Sequence, residues 1–173
     1  MPKNSTIVAE TPRLILRHLA RKDADELAAI YADPVVMKFY PSLWTYTETK
    51  QQIERIIVTY EKHGFGLWAT ISKADNKFIG RCGLVPQLVD GQQEIEIGYL
   101  LAKEYWNKGL ATEAACASRD YGLETVGCDR LISLIDPRNI SSQKVALKTG
   151  LTYEKNTTMW EKLIRVYTID NSR

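Results

Sequence analysis

Cysteine is scarce and poorly placed for cross-linking. Cys82, Cys116 and Cys128 are the three in the chain, an odd number at wide spacings with no C-x-x-C pair, which argues against a disulfide framework and against a zinc site. Histidine is rarer still, and His18 and His63 stand far apart, so they read as polar residues rather than as metal ligands or a base. No metal is expected. No run of 18 apolar residues occurs and no charged-then-apolar leader precedes the first polar segment, so neither a membrane span nor export is indicated and a cytoplasmic protein is expected. A surplus of one charge is also lacking. The 23 Lys and Arg stand against 21 Asp and Glu, a formal net charge of +2, and they are spread along the chain without the basic stripe that nucleic acid or an anionic membrane would require. The chain has no G-x-x-x-x-G-K-[ST] and no G-x-G-x-x-G, so a nucleoside-triphosphate loop and a dinucleotide fingerprint are both excluded.

What is present is enough for a core. A chain of 173 residues, 45% hydrophobic and 25% charged, suits one domain over residues 1–173, and no repeat, linker or low-complexity tract divides it. The apolar residues of Arg13–Leu19, following Pro12, predict a first strand. Asp23 with Glu26 three residues on reads as a capping-box start for a helix with Leu27, Ile30 and Tyr31 on one face, stopping near Asp33-Pro34. Thr45 with Glu48 is a second such start. There Ile53, Ile56, Ile57 and Tyr60 form the stripe of an amphipathic helix that ends at His63-Gly64.

Three strands are expected next, over Phe65–Ser72, Phe78–Val89 and Gln93–Leu101, with Asp90-Gly91 as a hairpin signal. A helix follows the break at Gly109 and runs to about Val126. A buried strand at Arg130–Asp136, a helix at Ser141–Gly150 and a last pair of strands complete the chain. The result is an α/β (α+β) domain with a mostly antiparallel sheet. Within it, strand, helix and strand from Gln93 to Asp136 form one β-α-β crossover.

The stretch EYWNKGLATEAA, Glu104–Ala115, sits inside that crossover. Between a strand's carboxyl end and a helix's amino end, free N–H groups and the positive helix end make an anion site. Gly109 and Ala111 lack bulk, and Lys108 adds a charged donor. A tight turn that needs Gly for geometry alone is the competing reading.

Together with NISSQKVALKTGLTYE, TPRLILRHL and RVYTI, the segment EIEIGYLLAKEYWNKGLATEA resembles the GNAT superfamily of acetyl-CoA-dependent N-acetyltransferases, within the branch similar to the ribosomal-protein N-terminal acetyltransferases. The resemblance covers almost the whole chain and implies helices on both faces of the sheet. Trp106, Gly109 and Ala111 match the family's loop, while Asn107 stands where a second Gly is frequent. It implies acetyl-CoA as co-substrate. The backbone N–H groups of Asn107, Lys108, Gly109, Leu110, Ala111 and Thr112 would hold its pyrophosphate. Tyr99, Leu100 and Leu101 would offer backbone groups to its pantetheine arm, with Asn139 and Ser142 near the thioester sulfur. Helix capping is the alternative for Asn139 and Ser142.

Acetyl transfer needs a neutral amine. From reference pKa values, about 14% of an α-amino group but only about 0.04% of a lysine is neutral at pH 7, so an α-amine asks far less of a base. Glu94 and Glu96 lie two apart on one strand face. In this sequence Glu96 matches the position most often acidic in similar sequences, so it is the first candidate base and Glu94 the second, against a plain solvated face. Many members carry a Tyr four residues before the Gly of the later helix as general acid; here that residue is Ala146, and Ser142 is the nearest hydroxyl. The expected acceptor is a protein or peptide N-terminal α-amine. A small amine such as a polyamine, an amino acid or an antibiotic, and a non-catalytic acetyl-CoA-binding module, are the alternatives. The state is expected to be monomer or homodimer. Aromatic residues of 34–46 are read as either core or acceptor wall.

Overall fold

The computed structural model describes residues 6–172. Eight strands form one sheet in the order β1-β2-β3-β4-β5-β6-β8-β7. They are β1 (Ile7–Glu10), β2 (Leu14–His18), β3 (Leu67–Ser72), β4 (Lys77–Val89), β5 (Gln92–Leu101), β6 (Arg130–Ile135), β7 (Thr152–Met159) and β8 (Lys162–Asp170). All neighbouring pairs are antiparallel except β5 and β6. The parallel pair is the one the crossover requires.

Strand β1 was not expected from the sequence. Only four residues long and exposed at both ends, it carries too little alternation to be legible, and it gains its register by pairing with β2. The connection between β4 and β5 is the expected two-residue hairpin, with Asp90 at φ 49° and Gly91 at φ 79°, both in the left-handed region that a type I′ turn needs. The connection between β7 and β8 uses the same region at Trp160 (φ 52°) and Glu161 (φ 61°). Neither residue type announces it.

Helix α1 spans Ala24–Tyr31 and α2 spans Tyr46–His63. The second start is a true capping box: Glu48 N–H donates to Thr45 Oγ1 at 3.2 Å and Thr45 N–H to Glu48 Oε2 at 2.7 Å. The first is not. Asp23 ends a short 3₁₀ turn over Arg21–Asp23, where its carboxylate accepts from Ala20 N–H at 2.8 Å and takes a two-pronged bond from Arg17. An acid beside a strand arginine is more strongly held there than at a helix start.

Helix α3 spans Leu110–Asp120 and continues as a π-helical turn over Tyr121–Val126, and α4 spans Ile140–Lys148. One face of the sheet packs on α1 and α2, with Leu67, Ala69, Ile71 and Leu100 against Leu27, Ile30, Tyr31, Ile53 and Ile56. The other packs on α3 and α4, with Trp68, Cys82, Leu84, Ile97 and Leu101 against Leu110, Ala114, Ala115 and Ala146. Strand β5 therefore has a core on each side, and its ends decide where the site lies.

Candidate acetyl-transfer site

Strands β5 and β6 touch and then part. Their register is a single pair, Glu96 with Ile132, whereas β5 remains paired to β4 through to Leu101. Just past that pair Ser133 Oγ, not a backbone N–H, donates to the Ile97 carbonyl at 3.1 Å. Beyond it the β6-facing edge of β5 has no strand partner among the described residues. An open edge of backbone donors and acceptors demands another partner, and a peptide-like chain can supply one.

At the far end of β5 the backbone turns through Lys103–Tyr105 into α3. Trp106 Nε1–H donates to the Leu101 carbonyl at 2.8 Å, which ties the loop to the strand. Asn107 adopts φ 59° and Gly109 φ 77°. Gly109 is the N-cap of α3 and provides no side-chain cap, so the first N–H groups of the helix stay unclaimed by side chains. Two cations flank them. Lys108 Nζ lies over the Tyr105 ring at 5.4 Å. Arg13 donates Nη1–H to the Lys108 carbonyl at 2.7 Å and Nε–H to Glu113 at 2.7 Å, and its Nη2 lies 3.3 Å from where a Cβ on Gly109 would stand.

On the α3 and α4 face, the Tyr99 hydroxyl donates to the Ser142 carbonyl at 2.8 Å and lies 2.9 Å from Ser142 Oγ. Burial pushes the Tyr99 phenol above its ordinary range, so it stays protonated at neutral pH. Asn139 Oδ1 accepts the Ser142 N–H at 3.1 Å and caps α4. Ala146 is 1% exposed within the core. A phenol from β5 thus stands against the start of α4.

On the opposite face, Glu96 is half-buried and accepts from Gln87 Nε2 at 2.8 Å. Desolvation pushes its carboxyl up to about 7, against the opposing effects of the Gln87 bond and the Arg81 charge. Glu94 shares that face but is claimed by Arg130, at 2.9 Å, which also binds Glu154 at 2.7 Å.

A family model described as an acetyltransferase (GNAT) domain matches residues 13–152. The chain belongs to the GNAT acetyltransferases. It is 36% identical over 158 residues to an uncharacterized protein, YkkB, of Bacillus subtilis (strain 168), covering 91% of this chain and 92% of that one. With an uncharacterized N-acetyltransferase, p20, of Bacillus licheniformis it shares 32% over 161 residues, covering 91% and 85%. The crystal structure of an acetyltransferase from Agrobacterium tumefaciens str. C58 superposes with a TM-score of 0.83 at 26% identity, covering 96% of each chain. The chain is an N-acetyltransferase that moves an acetyl group to an amine.

GNAT acetyltransferases use acetyl-CoA, and the residues present fit it. A helix start with an uncapped amino end and two adjacent cations suits a pyrophosphate, and the open edge of β5 suits an amide-bearing arm. Of the anticipated groups, the Leu101 carbonyl is already engaged by Trp106. Asn139 is a helix cap, so the capping alternative holds for its Oδ1. Sequence reasoning missed the Tyr99 phenol, Arg13 and Arg81. Tyr99 had a signal in its position one residue after Gly98, but Arg13 meets its partners about a hundred residues away in the chain, and no local pattern reports that.

Proposed function

We propose that this GNAT acetyltransferase acetylates the α-amino group of a protein or peptide N-terminus, with Glu96 as proton acceptor. The observation that carries the reading is the Glu96 carboxyl, pushed up to about 7 and set where β5 and β6 part. Such a base takes a proton from an α-ammonium, reference pKa about 7.8, at a cost of about 1 kcal/mol; from a lysine ammonium, about 10.4, the cost is roughly 4–5 kcal/mol. Glu94 is the weaker candidate, because Arg130 holds its lone pairs.

Acetyl-CoA supplies the activated acetyl group. The N–H groups from Asn107 to Thr112, with the Lys108 ammonium, hold its pyrophosphate, and Arg13 adds a charge to that end. Backbone groups of Tyr99, Leu100 and Leu101 line the arm's path, and Asn139 stands at the reacting end. Tyr99 Oη turns its hydrogen bond to the departing thiolate, which leaves as the anion and takes its proton from solvent, while Ser142 Oγ, 2.9 Å away, positions the phenol. The two hydroxyls together take the place for which Ser142 alone was considered.

Relatives differ in acceptor. RimL, a ribosomal L7/L12 α-N-protein acetyltransferase, shares the fold with a TM-score of 0.77 at 16% identity, and spermidine N(1)-acetyltransferase of Escherichia coli (strain K12) is 25% identical over 147 residues. The proton balance at Glu96 favours the α-amine. Thiol release from acetyl-CoA over N-terminal peptides, free lysine and spermidine at pH 7 tests this. Peptides should be the fastest acceptors, and a spermidine rate above every peptide would overturn the reading.

A further inference from the structure

Arg81 on β4 is a buried cation that no carboxylate among the described residues pairs with. It is 6% exposed. Its Nε–H donates to the Tyr31 hydroxyl at 2.6 Å, its Nη2–H to the Tyr40 hydroxyl at 3.3 Å, and the guanidinium carbon lies 5.6 Å from the Tyr31 ring centre. Phenols satisfy hydrogen-bond geometry but not charge, and an uncompensated buried charge is costly. Other arginines of this sheet show the usual solution: Arg17 pairs with Asp23 at 2.8 Å, and Arg130 with Glu94 and Glu154.

Acids on β5 and just past β6 are occupied by other partners. Glu94 is held by Arg130, Asp136 by Arg138 at 2.8 Å and Lys162 at 3.4 Å, and Glu96 is bonded to Gln87 rather than to Arg81. Arg81 Nη1 has no partner among the described residues.

The position is on the acceptor side. Arg81 lies opposite Leu100, on the sheet face that carries Glu96, and its charge reaches the Glu96 carboxylate. Tyr40, 37% exposed, brings the segment between α1 and α2 over the same place. That segment is held by Lys162 Nζ donating to the Phe39 carbonyl at 2.8 Å and by Lys103 pairing with Asp33 at 2.9 Å. When Glu96 accepts a proton, Arg81 loses the negative charge within its electrostatic reach.

We propose that Arg81, with the Tyr40 hydroxyl, is a subsite for an anionic group of the acceptor, so that the enzyme selects amines carrying a carboxylate a few bonds from the reacting nitrogen. This rests on the acceptor-side placement of Glu96 in the reading above and narrows it to a substrate class. The carboxylate has two sources: an acidic side chain at the first or second residue of a peptide, or the α-carboxylate of a free amino acid. A polyamine, cationic throughout, is the class this subsite repels.

The test is steady-state thiol release at low salt with peptides bearing Asp or Glu at the first two positions, their Asn and Gln counterparts, free glutamate, and spermidine. Wild-type kcat/KM should favour acidic over neutral peptides by about tenfold or more, chiefly through KM. In Arg81→Gln that ratio should fall to about one, and Arg81→Lys should retain part of it. Tyr40→Phe, which removes one hydroxyl from a 37% exposed side chain, should reduce the ratio a few-fold and so decides the matter if Arg81→Gln fails to fold. Free glutamate outpacing the peptides would name the amino acid as the source, sustaining this inference while overturning the peptide acceptor of the reading above. Equal wild-type rates on acidic and neutral peptides, both above spermidine, would overturn this inference alone; a ratio intact in a folded Arg81→Gln would do the same. Spermidine faster than every acidic acceptor would overturn it together with the α-amine reading.

Discussion

On the α3 and α4 side of β5 the site is made largely of backbone: an uncapped helix start at Gly109, an open strand edge beyond Glu96 and one hydroxyl pair, Tyr99 with Ser142. On the α1 and α2 side it is made of side chains that arrive from β4, β5 and the segment before α2, with Glu96, Gln87, Arg81 and Tyr40 in contact or within electrostatic reach. The two proposed ligands account for the difference. A fixed co-substrate with a diphosphate suits generic N–H groups. An acceptor that must be chosen and deprotonated needs tuned charges, and these depend on burial. Variants on the first side should therefore act on affinity, and those on the second on rate and selectivity.

The largest effect should be on the acceptor side. Glu96→Gln should lower kcat by about 10²–10⁴ at pH 7 with acetyl-CoA affinity nearly unchanged. Wild-type kcat/KM should rise with pH through a midpoint near 7, where Glu96 loses its proton, and the variant's rise should move to the amine's own pKa. A variant that keeps wild-type turnover and profile would remove Glu96 from proton transfer.

Next comes the anion end. Gly109→Asp places a strained left-handed side chain where Arg13 would draw its carboxylate into the phosphate position, and acetyl-CoA should bind about 10²-fold more weakly, or roughly 3 kcal/mol. Calorimetric titration of the folded variant should show this with the acidic-to-neutral acceptor preference preserved. Unchanged affinity would dissolve the contrast between the two sides.

Glu96 also yields a stability difference of opposite sign to its rate effect. Its folded pKa of about 7 lies above the reference of 4.5, so the folded state holds more protons across that window and wild-type stability falls as pH rises from about 4.5 to 7. Glu96→Gln should accordingly gain about 2 kcal/mol at pH 8 and little at pH 4, discounting for partial exposure. Urea unfolding at the two pH values reads it, and a loss of stability at pH 8 would mean that the carboxylate is not desolvated.

The smallest effect belongs to the hydroxyl pair. A thiol with a reference pKa of about 8.5 leaves tolerably unaided, so Tyr99→Phe should lower kcat by about tenfold and Ser142→Ala by less. If Ser142→Ala matched or exceeded Tyr99→Phe, the hydrogen bond to the thiolate would come from the serine. Ala146→Tyr offers no restoration, since Ala146 lies in the core and a phenol there would overpack it.

Much of this molecule was legible without coordinates where the information is local. The Thr45-x-x-Glu48 box, the Asp90-Gly91 hairpin, the α2 stripe and the crossover that places Asn107–Thr112 at a helix start are short patterns with direct backbone consequences. Asp23 misled because the same acid that caps a helix also pairs with an arginine six residues earlier, and nothing local tells which partner wins.

The site divides along the same line. By itself the sequence determined a sheet with one crossover and a glycine turn into an uncapped helix start, because steric limits on Gly, alternation and capping act over a few residues. Only the tertiary structure decided that Arg130 would lock Glu94 and leave Glu96 desolvated, that a phenol from β5 would reach Ser142, and that Arg81 would be buried with two tyrosines, not an acid, as its hydrogen-bond partners. Those outcomes are matters of burial and of charges meeting across tens of residues, and both are set by how the layers pack.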